Sequence, residues 1–121
     1  MKATCHCGAV EIEVELKDGL ATAMRCDCSY CRRRGAIVVL SVPEGVRVVR
    51  GAEVLGLYEW GTRAAKHYFC KVCGISTHSR RRLDPTGFAV NAACLEGVNP
   101  RDLGEVPWFD GVNHPLDREG G

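Results

Sequence analysis

Val10-Glu11-Ile12-Glu13-Val14-Glu15-Leu16 sets apolar side chains and carboxylates in strict alternation. Successive side chains of an extended chain point to opposite faces, so this stretch reads as a strand with one face buried and the other in water. Cys5-His6-Cys7-Gly8 lies immediately before it. The same rule puts the two thiols, two residues apart, on one face. Further along, Lys17-Asp18-Gly19 predicts a turn and Leu20 to Cys26 a returning strand. The continuous apolar run from Ala36 to Val42 predicts a buried central strand, ended by Pro43-Glu44-Gly45. Val46 to Arg50 alternates again. Leu55 to Trp60, Lys66 to Cys70, Ile75 to Ser79 and Gly87 to Leu95 are further strand candidates, with Gly61 and Asp84-Pro85-Thr86-Gly87 as loops. No stretch carries a long helical period. Asn99-Pro100-Arg101-Asp102-Leu103 fits one helical turn, with Asn99 as cap and Pro100 in first position. The tail from Gly104 reads as irregular. The expectation is an all-β fold in a single domain, residues 1–121.

The chain has 121 residues and eight cysteines. That many cysteines in so short a chain reads as disulfides in a secreted protein and as metal ligands inside a cell. The start, Met1-Lys2-Ala3-Thr4, has neither an apolar stretch nor a small-residue cleavage site, so no signal peptide is read there. No run approaches the ~18 apolar residues that span a bilayer. Both points predict a cytoplasmic protein with no membrane partner, and metal rather than disulfides. The net charge of +1, from 16 basic and 15 acidic residues, gives no overall bias toward nucleic acid. Two arginine triplets, Arg32-Arg33-Arg34 and Arg80-Arg81-Arg82, read first as solvated faces.

Seven cysteines form three clusters: Cys5 and Cys7; Cys26, Cys28 and Cys31; Cys70 and Cys73. The first and third end alike, on Gly8 and Gly74. Glycine lets the backbone fold back so that its N–H groups donate to thiolates. On that likeness Cys5, Cys7, Cys70 and Cys73 are paired as one closed, structural zinc set, its charge offset by Lys66 and Lys71. The middle cluster supplies three ligands. Two readings of it stand. Either the fourth position is open for water or a thiol, or Cys94, His6, His67, His78 or His114 closes it. An open zinc can bind and deprotonate a substrate thiol or polarise a carbonyl. Arg25 and Arg32 to Arg34 would favour the thiolates and attract an anion, with Arg32 or Arg33 placed for a substrate carboxylate. Cys94, on an expected strand, reads as a buried small hydrophobe, a fourth ligand or a reactive thiol. Trp60 and Trp108 read as packing residues.

Cys5-His6-Cys7-Gly8-Ala9-Val10, Cys26-Asp27-Cys28-Ser29-Tyr30-Cys31-Arg32 and His67-Tyr68-Phe69-Cys70-Lys71-Val72-Cys73-Gly74, in this order, resemble the glutathione-dependent formaldehyde-activating family. Asp84-Pro85-Thr86-Gly87-Phe88-Ala89-Val90-Asn91 with Cys94-Leu95, and Phe109-Asp110-Gly111-Val112-Asn113, resemble its centromere-protein-V-like branch. One departure is Ala93, where that branch often has arginine. The resemblance implies a small twisted-sheet zinc fold, the β-tent shared with methionine sulfoxide reductase B, with two zinc ions per chain. It implies a structural zinc on Cys5, Cys7, Cys70 and Cys73, and a reactive one on Cys26, Cys28 and Cys31, the three catalytic ligands. The implied activity is a carbon–sulfur lyase joining glutathione and formaldehyde into S-hydroxymethylglutathione.

The expected function is therefore a zinc-dependent carbon–sulfur lyase-type enzyme, its partners a small thiol and an aldehyde. No nucleic acid is expected, and an exposed edge strand leaves room for a homodimer. Two rivals remain. One is a non-enzymatic two-zinc adaptor binding protein or nucleic acid through the arginine triplets. The other is a thiol redox enzyme built on a low-pKa Cys94.

Overall fold

A computed structural model describes residues 1–60, 65–81 and 86–111. Gly61, Arg82, Asp84, Pro85, Val112, Asn113 and His114, all named above, lie outside the described residues. The strands are β1 (Lys2–Thr4), β2 (Glu11–Leu16), β3 (Arg25–Cys26), β4 (Val38–Arg50), β5 (Leu55–Tyr58), β6 (Lys66–Cys70), β7 (Ser76–Arg80), β8 (Phe88–Asn91) and β9 (Trp108–Phe109). Helix α1 covers Ser29–Arg34. Seven strands form one antiparallel sheet in the order β1-β2-β4-β8-β7-β6-β5, while β3 and β9 pair in parallel. The fold is all-β, with little helix. No helix among the described residues is long and apolar enough to cross a membrane.

The alternation in β2 does what its pattern dictates. Ile12 and Val14 are buried, while Glu13 and Glu15 face water. Each such apolar side chain contributes roughly 1.5–3 kcal/mol by leaving water. Val10, Ile12 and Val14 meet Ile37, Val39, Val90, Ala92 and Leu95 in the core, and Cys5, Cys70 and Cys94 belong to the same cluster. On the solvent face Glu11 pairs with Arg50 at 3.1 Å and Lys2 at 3.7 Å. Arg50 also donates to Gly8 O at 2.7 Å, which ties the end of β4 to the first cysteine loop.

Several elements differ from expectation. Pro43-Glu44-Gly45 bends the strand without ending it, so β4 runs for 13 residues. Leu16 pairs with Ser41 and Val14 with Val46, so extra residues of β4 bulge between them. Glu44 sits at φ 54, its N–H donating to Thr86 O at 2.7 Å. A Cβ at Gly45 would lie 2.8 Å from Val42 O and 2.9 Å from Glu15 O, which only glycine avoids.

Leu20 to Cys26 is a strand only at Arg25–Cys26. Ahead of it, Ala21 and Ala23 donate back to Asp18 and Leu20 in consecutive turns. Cys94 lies on a 3₁₀ turn (Ala92–Cys94), not a strand, because Asn91 Oδ1 accepts from Ala93 N–H and caps the turn. The turn at Pro100–Leu103 has its expected Asn99 cap.

Candidate metal centres and cleft

The first and third cysteine clusters meet. The sulfurs of Cys5, Cys7, Cys70 and Cys73 all lie within 4.8 Å of one another. Their two loops are built alike. Cys5 N–H donates to Val10 O and Cys70 N–H to Ile75 O, each five residues on. Gly8 N–H returns to Cys5 O and Gly74 N–H to Cys70 O. Gly8 and Gly74 both sit in the left-handed region, at φ 81 and 80. Beyond each reversal an N–H group meets sulfur, Ala9 and Val10 after Gly8 and Ile75 after Gly74, while Val72 reaches Cys70 from ahead of Gly74. Ala9 N–H donates to Cys7 Sγ at 3.5 Å, Val10 N–H to Cys5 Sγ at 3.3 Å and Val72 N–H to Cys70 Sγ at 3.3 Å. Backbone N–H groups of Cys7 and Ile75 hold Cys73 down at about 6. Cys5 and Cys70 are buried in the core, so this set stitches the N-terminal strands to β6. Lys66, expected to offset its charge, instead pairs with Glu59 at 3.0 Å.

The middle cluster forms a second set. The sulfurs of Cys26, Cys28 and Cys31 also lie within 4.8 Å of one another. Cys26 is held by β3, whose partner β9 pairs Cys26 with Phe109. Cys28 caps α1, its sulfur accepting the Cys31 N–H at 3.3 Å. Cys31 rides on the first turn. A six-residue helix carries too little periodicity to be read from sequence, yet it is what turns Cys31 back onto its partners.

Cys28 is held down at about 2, first by the thiols of Cys26 and Cys31, with the backbone N–H groups of Cys31 and Tyr30 adding to them. Cys26 is pushed up, first by Cys28. Cys31 is pushed far up, first by Cys26, then by Cys28 and burial. One thiol ionises readily and its charge blocks the other two. A soft divalent cation among the sulfurs removes that block, so the donor set fits zinc.

This set opens into a cleft of ≈ 130 Å³. Met24, Val38, Ala89 and Phe109 give it an apolar wall, and Arg34, His67 and Ser79 are among its polar groups. Arg34 Nη2 donates to Cys31 Sγ at 3.5 Å and Nη1 to Ser79 Oγ at 3.4 Å. His67 Nδ1 lies 2.9 Å from Ser79 Oγ, and its ring lies 4.0 Å from that of Tyr30. Burial, then the Arg34 cation, lowers His67 to about 4, so the imidazole is neutral near pH 7.

The other candidates sort by position. Arg34 is the member of its triplet at the sulfurs. Arg32 and Arg33 are exposed, Arg33 donating to Ser29 O at 2.7 Å. Arg25 donates to Gly35 O at 3.0 Å and lies over Trp108, which is 61% exposed and not a core residue. Trp60 lines the cleft. Among the described residues, neither Cys94 nor His6, His67 or His78 joins the three sulfurs. Cys94 lies by the other set. Its thiol is pushed up to about 11 by burial, then by Cys5 and Cys73. His78 stacks on Tyr68 at 4.8 Å, with Nδ1 2.8 Å from Thr77 Oγ1.

Gly111 was not singled out as a site residue by the sequence reading. A Cβ there would lie 2.8 Å from Cys26 Sγ, and Gly111 N–H donates to Asp27 Oδ1 at 2.8 Å. The only sequence signal was its place in Phe109-Asp110-Gly111.

The model of the glutathione-dependent formaldehyde-activating enzyme family matches residues 1–106. The chain belongs to that family. The crystal structure of a Rhodobacter sphaeroides protein, a structural genomics target, is also similar, with 67% identity and a TM-score of 0.88. The match covers 90% of this chain and 100% of that one. Membership supports glutathione-dependent formaldehyde activation at the level of the family.

Proposed function

We propose that this protein is a zinc-dependent carbon–sulfur lyase-type enzyme acting on a glutathione-like thiol and an aldehyde such as formaldehyde. One observation carries the reading. Three sulfurs lie together in a cleft, with no fourth ligating atom of Cys, His, Asp or Glu in their set among the described residues, whereas the other set has four. In this reading Cys5, Cys7, Cys70 and Cys73 hold a structural zinc, and Cys26, Cys28 and Cys31 a reactive one. Zinc bound by three sulfurs supplies a Lewis acid with a position open to a thiol or carbonyl.

The chain's own residues supply the rest. Arg34 offsets the negative charge of the sulfur set through its contact with Cys31. Met24, Val38 and Phe109 keep water from the reacting carbon. In this reading neutral His67, hydrogen-bonded with Ser79, accepts or returns a proton. The thiol gives up its proton, and its sulfur electron pair forms the carbon–sulfur bond. The carbonyl π pair moves to oxygen, which takes a proton.

The test is exchange between glutathione, formaldehyde and S-hydroxymethylglutathione, followed by NMR against the uncatalysed rate. The zinc-loaded protein should accelerate it and Cys28→Ser should not. Full acceleration by Cys28→Ser would overturn the assignment.

A further inference from the structure

The cleft carries more positive charge than a thiol and formaldehyde need. Arg34, Arg80 and Arg81 all line it, and no carboxylate does among the described residues. Arg80 is committed, bonded to Glu44 at 3.0 Å and lying 4.4 Å over the Phe88 ring. Arg81 makes no ion pair among the described residues. Its backbone is fixed by a 3.0 Å bond from its N–H to Gly87 O. Arg34 spends one donor on Cys31 and one on Ser79, both in long contacts, its guanidinium lies 5.4 Å over the Tyr30 ring, and its Nε is buried without a hydrogen-bond partner. A guanidinium has five N–H donors, so Arg34 keeps capacity for an anion.

The position of that charge is informative. Arg34 Nη2 is 3.5 Å from Cys31 Sγ, so an anion held there sits beside the sulfur set. Formaldehyde has no charge for an arginine to hold. Glutathione has carboxylates, but each is several bonds from its sulfur. A carboxylate attached directly to the carbonyl carbon, about 1.5 Å away, is the group that reaches Arg34 while the carbonyl stays at the sulfurs.

We infer that the preferred carbonyl substrate is a 2-oxo acid aldehyde of the glyoxylate class, its carboxylate held between Arg34 and Arg81. This rests on the thiol–aldehyde reading above. The thiol sulfur adds to the aldehyde carbon, the π pair moves to oxygen, and the proton leaving sulfur ends on that oxygen. The product is a 2-hydroxy-2-thio acid, and no oxidant or reductant is needed.

The test uses the zinc-loaded protein with 2-mercaptoethanol, a thiol without a carboxylate. The kcat/KM for glyoxylate, above background, is compared with that for formaldehyde. Glyoxylate should be favoured. Arg81→Gln should lower the ratio by about tenfold or more, the size of one charge-assisted hydrogen bond. Arg33→Gln, on the outer face of α1, should not change it. Binding of glycolate, the unreactive reduced analogue, should weaken with salt and in Arg81→Gln, which reads the anion site without turnover. Formaldehyde turnover without a glyoxylate preference overturns this inference and leaves the lyase reading standing. So does a preference that follows the thiol's charge, seen when 3-mercaptopropionate replaces 2-mercaptoethanol. Turnover of neither carbonyl, with 2-mercaptoethanol or with glutathione, overturns both.

Discussion

A Cβ on Gly111 would stand 2.6 Å from the Cβ of Cys28. The segment just after β9 thus lies directly on the three-sulfur set, and the clash is with backbone-anchored atoms that cannot swing aside. Gly111→Ala should force β9 away from β3, at a cost of roughly 1–3 kcal/mol, as overpacking generally does. One metal per chain should be lost with it. Metal analysis and a melting curve check this; two metals and an unchanged Tm would show that the contact yields freely.

The two sulfur sets should fail differently. Cys70 is fully buried in the core cluster and its set joins distant strands, so Cys70→Ser should lower Tm sharply and broaden the transition. Cys28→Ser, at a cleft beside a two-strand pair, should lose one zinc while the main sheet stays intact by circular dichroism. Equal destabilisation by both variants would contradict the division into structural and reactive sites.

Acid should destabilise the fold partly through His78. Burial, then Arg80, lowers this histidine from 6.5 to about 4. Between those values the unfolded chain binds a proton that the folded chain refuses. Stability is therefore full above about pH 6.5 and falls as pH drops toward 4, by up to about 3 kcal/mol. His78→Phe, which keeps a ring against Tyr68, should flatten that slope in denaturant titrations. Protonation of metal ligands is common to both proteins and cancels in the comparison; parallel slopes would place the acid sensitivity elsewhere.

Cys94 should be inert. Its thiol is buried, points at Ser76 O at 3.6 Å and is raised to about 11. Iodoacetamide at pH 8 should leave Cys94 unmodified in the zinc-loaded protein, as read by peptide mass spectrometry, and Cys94→Ala should keep turnover. Rapid alkylation would revive the redox reading.

Local signals of the right period were legible in the sequence. The alternation in β2 announced a half-buried strand, and β6 ended where expected because Cys70 begins a glycine-closed loop. The shared Cys-Gly ending identified which clusters meet, since both loops need the same reversal to aim N–H groups at sulfur. Features set by contacts between distant segments were hidden. Arg25–Cys26 becomes a strand only because Trp108–Phe109 lies beside it. Pro43-Glu44-Gly45 looks like a stop, yet the sheet absorbs it as a bulge whose Glu44 N–H is met by Thr86 O. Arg34 could not be told from Arg32 and Arg33 until the six-residue helix turned one of the three toward Cys31. Gly111 looks like an ordinary tail glycine until it is seen against Cys28.

The central claim is that the three-sulfur set keeps a coordination position open to a thiol. Cobalt(II) substitution makes both sets visible, and titration with glutathione tests the claim directly. The account predicts a saturable change in the sulfur-to-cobalt and d–d bands from one of the two ions, absent in Cys28→Ser. Two closed four-coordinate spectra that ignore glutathione would contradict it and favour a two-metal adaptor.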